Sequence, residues 1–144
     1  MNDTILVVED NPDCQFNFEL LLEMNGHDMV VVATAEEALQ LLASSSQLPA
    51  LIISDIKLPG MDGHAFYREV RSHPAWKRIP FIFVTAKPAK EDADRAERLG
   101  AAGYFSKPFD PDELLAAVTS ILSGEGIRVF HCFQAVCEDE DSNN

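Results

Sequence analysis

LIISDIKLP, Leu51 to Pro59, is the stretch whose reading decides the fold. An apolar run carries one carboxylate, Asp55, towards its end, and the chain then breaks at Pro59-Gly60. A continuous apolar run bounded by turn signals reads as a strand buried on both faces. An Asp closing it places a charged oxygen at the carboxyl edge of a sheet, where open α/β folds keep their ligands. Asp55 also suits the plain start of a turn. The rest of the chain has to decide.

Upstream, Thr4 to Val8 (TILVV) is a second apolar, β-branched run, and it ends in Glu9-Asp10. Asn11-Pro12 follows, with Pro12 placed as a first helical residue. That helix is expected to run to about Met24 and stop at Asn25-Gly26. Asp28 to Val32 reads as a strand, and Thr34-Ala35-Glu36-Glu37 is a capping-box pattern opening a short helix through Leu42. Ser44 to Gln47 reads as a loop. Downstream, a helix from about Asp62 to Arg71 is expected to bury Phe66 and Val70. Ile79 to Val84 reads as a strand followed by Thr85-Ala86, and a charged helix covers roughly Ala89 to Leu99 before Gly100. Tyr104 to Ser106 is a short strand followed by Lys107-Pro108. Asp110 to Glu113 caps a last helix reaching Leu122. Strands alternating with helices at this spacing predict an α/β fold, a doubly wound parallel sheet of five βα units.

A chain of 144 residues suits one domain with a real core. Its hydrophobic fraction of 47% and charged fraction of 24% are those of an ordinary globular protein. It has no apolar run of membrane-spanning length and no signal-peptide pattern, so a cytoplasmic location without membrane contact is expected. Cys14, Cys132 and Cys137 are too few for a disulfide scaffold, which makes reduced thiols the default. A net charge of −13 argues against direct nucleic-acid binding, which needs a basic footprint. Residues 1–56 contain no Lys or Arg, whereas Lys57 to Lys107 holds ten of the eleven basic residues.

A parallel sheet brings all strand carboxyl ends to one edge, and here they carry Glu9 and Asp10, Asp55, Thr85 and Lys107. Three neighbouring carboxylates repel unless a cation sits among them, and an all-oxygen set of this size suits Mg²⁺. Lys107 adds positive charge and Thr85 a hydroxyl. Such a group fits a phosphoryl moiety, whose oxygens need that charge, and an Asp carboxylate can be the nucleophile that accepts it.

On Glu9-Asp10, Asp55 with Pro59-Gly60-Met61-Asp62-Gly63, Val84-Thr85-Ala86, and Tyr104 with Lys107-Pro108, the chain resembles the receiver domain of two-component response regulators. The likeness spans residues 4–122 and is to a single-domain, chemotaxis-regulator-like receiver. It implies a flavodoxin-like (βα)5 sheet of strand order 2-1-3-4-5, with Asp55 as phosphoacceptor and Thr85 and Lys107 as its catalytic companions. It further implies Mg²⁺ held by Glu9, Asp10, Asp55 and the backbone carbonyl of Lys57. Thr85 and Tyr104 would form the switch, Lys107 would pair with the phosphate, and the Lys107–Pro108 bond would be cis. The implied donor is a phosphohistidine on a sensor histidine kinase or a histidine phosphotransfer protein, and the output a downstream protein target. A receiver catalyses its own phosphorylation and slow dephosphorylation, so it is a signalling domain and not a turnover enzyme. Phosphorylation adds roughly two negative charges and biases the switch.

Two features stand outside that likeness. The first helix is apolar on two sides: Cys14, Phe18 and Leu21 make a stripe expected to face the sheet, and Phe16, Leu20 and Met24 make another. The second stripe, with Phe109, is a candidate partner surface. Residues 123–144 are read as an apolar and then acidic tail, too short for a separate output domain. Its residues 127–136 (IRVFHCFQAV) precede the acids Glu138 to Asp141. The first helix, the last helix or the tail offers a route to a homodimer. Among rivals, a phosphatase of the haloacid dehalogenase type needs a second Asp two residues after the nucleophile, where this chain has Lys57. A flavodoxin-like nucleotide binder needs a Gly- or Ser-rich loop after the first strand, where this chain has acids. A receiver-shaped scaffold without phosphorylation would have lost the Asp or the Lys, and neither is lost.

Overall fold

The computed structural model describes residues 4–86 and 90–124. Five strands, β1 (Ile5–Val8), β2 (Met29–Val32), β3 (Leu51–Asp55), β4 (Phe81–Thr85) and β5 (Gly103–Ser106), alternate with five helices. These are α1 (Pro12–Met24), α2 (Ala35–Ser44), α3 (Gly63–Ser72), α4 (Lys90–Leu99) and α5 (Pro111–Leu122). The strands form one parallel sheet in the order β2-β1-β3-β4-β5. This is the doubly wound, flavodoxin-like arrangement.

The strands are apolar throughout because the sheet is covered on both faces, and their period of two sorts side chains between the layers. Leu6, Val8, Ile52, Phe81, Phe83 and Tyr104 point to the layer of α2, α3 and α4, where Leu42, Phe66, Val70 and Ala96 meet them. Ile5, Val7, Ile53, Ile82, Val84 and Phe105 point to the layer of α1 and α5, against Phe18, Leu22, Leu114 and Val118. Caps hold the helix starts: Asn11, Thr34, Asp62 and Asp110 each accept a backbone N–H from the first turn of α1, α2, α3 and α5.

The start of α1 is as expected at Pro12: its cap is Asn11, whose Oδ1 accepts from the Cys14 N–H at 3.0 Å, and Asp10 lies outside the helix and exposed. Several boundaries differ from those expected. Helix α2 continues to Ser44, because the Ser45 N–H still reaches the Leu41 carbonyl. Strand β4 starts at Phe81 and not at Ile79. Pro80 has no N–H for a ladder, and the Ile79 N–H is used by Trp76 in a turn. The buried ridge of α1 is Phe18 with Leu22; Cys14 and Leu21 flank it half-buried. The tail beyond Gly124 lies outside the described residues, as do residues 87–89. None of the helices among the described residues is long and apolar enough to cross a membrane.

Candidate functional site

The register fixes the site. Val8 pairs with Ser54, so Glu9, just past β1, and Asp55, the last residue of β3, stand side by side. Thr85 pairs with Ser106, so Lys107 follows directly beyond Thr85, and the Lys107 N–H donates to the Thr85 carbonyl at 2.8 Å. Four separate strands therefore deliver a carboxylate, a carboxylate, a hydroxyl and an ammonium to one edge. Glu9 and Thr85 are each 1% exposed and Asp55 7%, whereas Asp10 and Lys57 are open to solvent.

Lys107 Nζ sits between two acids, donating to Asp55 Oδ2 at 2.8 Å and to Glu9 Oε1. Burial alone would lower the Lys107 pKa, but the hydrogen bonds to Asp55 and Glu9 outweigh it and hold the ammonium above its ordinary range. Burial pushes the Glu9 carboxyl up, and the Lys107 hydrogen bond opposes this only in part. Glu9 is further held by the Asn11 N–H at 3.1 Å. Asp55 Oδ1 accepts the Lys57 N–H at 3.1 Å, which tucks the β3–α3 turn under the carboxylate. The turn is closed at its base, where the Gly63 N–H donates to the Ile56 carbonyl at 2.7 Å. A Cβ on Gly63 would collide with the Asp55 carbonyl, so only glycine fits there. At its tip, Glu36 of α2 accepts the Met61 N–H at 3.2 Å, a tether that the sequence pattern of α2 gives no sign of.

Glu9, Asp10 and Asp55 bring one carboxylate oxygen each to within 4.8 Å of one another. Three hard oxygen donors, one of them open to water, fit a divalent cation that keeps several waters. The Lys107–Pro108 peptide is cis. Tyr104 is fully buried with its ring centroid 6.5 Å from that of Phe83, in the layer between the sheet and α3 and α4. Tyr104 and Thr85 thus lie on adjacent strands, below and at the edge.

The pattern of the response regulator receiver domain matches residues 5–119. The chain belongs to the response regulator receiver family. As a receiver it is 36% identical over 121 residues to the response regulator Rre1 of Synechocystis, covering 83% of this chain and 52% of that protein. It therefore spans about half the length of that relative. Its fold is similar to a crystal structure of a putative response regulator from Chloroflexus aurantiacus, with a TM-score of 0.78 and 35% identity over 85% of this chain and 99% of that one. It is also similar to the receiver domain of the sensor histidine kinase PA1611 from Pseudomonas aeruginosa (TM-score 0.75, 30% identity, 86% and 100% covered). That structure holds a magnesium ion coordinated in its active-site cleft.

The candidate partner surface divides in two. Leu20 and Met24 are 48% and 76% exposed and form one wall of an apolar groove beside the receiver site. Pro108, Phe109 and Pro111 form the other wall, and Lys107 closes the end nearest Asp55. Phe109 is half-buried and not open surface: its ring stacks on Phe18 with centroids 5.2 Å apart. Phe16, 63% exposed, stands outside the groove.

Proposed function

We propose that this receiver accepts a phosphoryl group onto Asp55 from a phosphohistidine of a sensor kinase or phosphotransfer protein. The observation that carries this reading is the Lys107 ammonium 2.8 Å from Asp55 Oδ2, with Glu9 and Asp10 beside it. An Asp55 oxygen attacks phosphorus, the P–N bond to the donor imidazole breaks, and the electron pair leaves with that nitrogen. Lys107 is placed to move from its two carboxylates to the phosphoryl oxygens as charge builds there. Thr85, whose side chain stands one residue beyond Asp55 in the register, is placed to meet the same group. Glu9, Asp10, Asp55 and the Lys57 carbonyl would hold Mg²⁺, which would supply charge to neutralise the phosphoryl oxygens.

The acyl phosphate then biases Thr85 and Tyr104, and the bias is read by a protein partner. The donor approaches over the carboxyl edge of the sheet, where Asp55 and Lys107 stand. The protein acts in the cytoplasm as a phosphorylated signalling domain without catalytic turnover of a small substrate. Intact mass after incubation with Mg²⁺ and acetyl phosphate tests the reading. One phosphoryl adduct is expected on the parent and none on Asp55→Asn or in EDTA. Absence of an adduct on the parent would move the assignment to a receiver-shaped scaffold.

A further inference from the structure

We propose that the groove between α1 and Pro108–Pro111 is a docking site for residues 127–136 of this same chain. The groove is apolar and open although it lies on a well-packed domain, and such a surface marks contact. Charge selects its occupant. Asp13, Glu19 and Glu23 stand exposed on α1 outside the groove lining, whose one charged member is Lys107 at its end, and residues 1–56 contain no Lys or Arg to answer them. A second copy docked by α1 would set those acids against their equals. Residues 127–136 contain no acid, and they hold Arg128, the one basic residue of the chain outside 57–107. Their bulk is Ile127, Val129, Phe130, Phe133 and Val136, which suits walls made of Leu, Met, Pro and Phe.

Reach is sufficient. Ile121 and Leu122, the last residues of α5, pack in the same cluster as Leu21, which also lines the groove. The described chain thus ends on the face of the sheet that α1 covers. Between Gly124 and position 136 the backbone can extend up to ~40 Å at about 3.3 Å per residue, whereas α1 is only ~20 Å long at 1.5 Å per residue. A short tether gives an effective concentration of about 1 mM. An intrinsic affinity of only ~0.1 mM then keeps the groove filled about nine-tenths of the time.

Cys14 lines the groove half-buried and reports on its cover. The experiment compares two full-length proteins, both carrying Cys132→Ser and Cys137→Ser, one of them also Phe130→Asp and Phe133→Asp. N-ethylmaleimide is expected to alkylate Cys14 about tenfold faster in the second, as that occupancy requires. The methyl signals of Leu20 and Met24 are expected to differ between the two. Equal rates with unmoved methyl signals would overturn the proposal. Protection that disappears on dilution together with a dimer in sedimentation would overturn it in favour of a second copy. This docking goes beyond the phosphoacceptor reading, and its readout needs no phosphoryl donor.

Discussion

The carboxyl edge of the sheet and the α1 surface invert the usual placement of side chains in opposite ways. At the edge, Glu9 and Asp55 are buried charges, held by Lys107 and by backbone N–H groups. On α1, Leu20 and Met24 are apolar side chains that the described domain leaves uncovered. Buried carboxylates persist only with partners, and the charged partner here, Lys107, comes from a distant part of the chain. Exposed apolar residues need no partner to fold, so the stripe on α1 adds little to stability and is free to serve contact. The charged groups of the edge are thus locked into the fold, whereas the apolar stripe of α1 is laid over it.

The largest break of that comparison is at Asp55. Asp55→Asn is expected to abolish the phosphoryl adduct outright while the fold persists, as read by mass and circular dichroism; a retained adduct would place the acceptor elsewhere. Next comes Phe18, which joins the two regions by stacking on Phe109 from within the core. Phe18→Ala is expected to cost about 3–5 kcal/mol in urea unfolding, and a cost as small as that of a surface residue would contradict its place under the groove.

Lys107→Ala sharpens the charged side. It removes the hydrogen bond that offsets the burial of Glu9, so the Glu9 pKa, already raised, rises further. The folded protein then keeps a proton that the unfolded chain releases. Stability lost by the variant therefore grows as pH rises above the ordinary carboxyl range and fades below it. In EDTA the expected loss is about 1–3 kcal/mol near neutral pH and far less near about pH 4. A pH-independent loss would mean that Lys107 acts through packing. The smallest effect belongs to the apolar side. Leu20→Lys is expected to cost no more than about 1.4 kcal/mol, the most that a groove filled nine-tenths of the time can contribute, while weakening the docking of residues 127–136. A large loss of stability would show that Leu20 belongs to the core.

The sequence by itself determined the order of strands and helices and the acids, hydroxyl and lysine at the strand ends. Those signals are local: apolar runs, caps such as Thr34 and Asp110, and stops such as Gly26 and Gly100 act within a few residues. Boundaries followed where a neighbour decided them, as when the lack of an N–H on Pro80 delayed β4. Tertiary structure alone decided that Lys107 bridges Glu9 and Asp55, that Leu22 rather than Leu21 is the buried ridge of α1, and that Phe109 covers Phe18. It also tied Glu36 to the turn after Asp55. Each of these joins residues far apart in the chain or chooses between adjacent positions on one helix. The choice rests on sheet register and layer packing, which no local pattern of residues encodes.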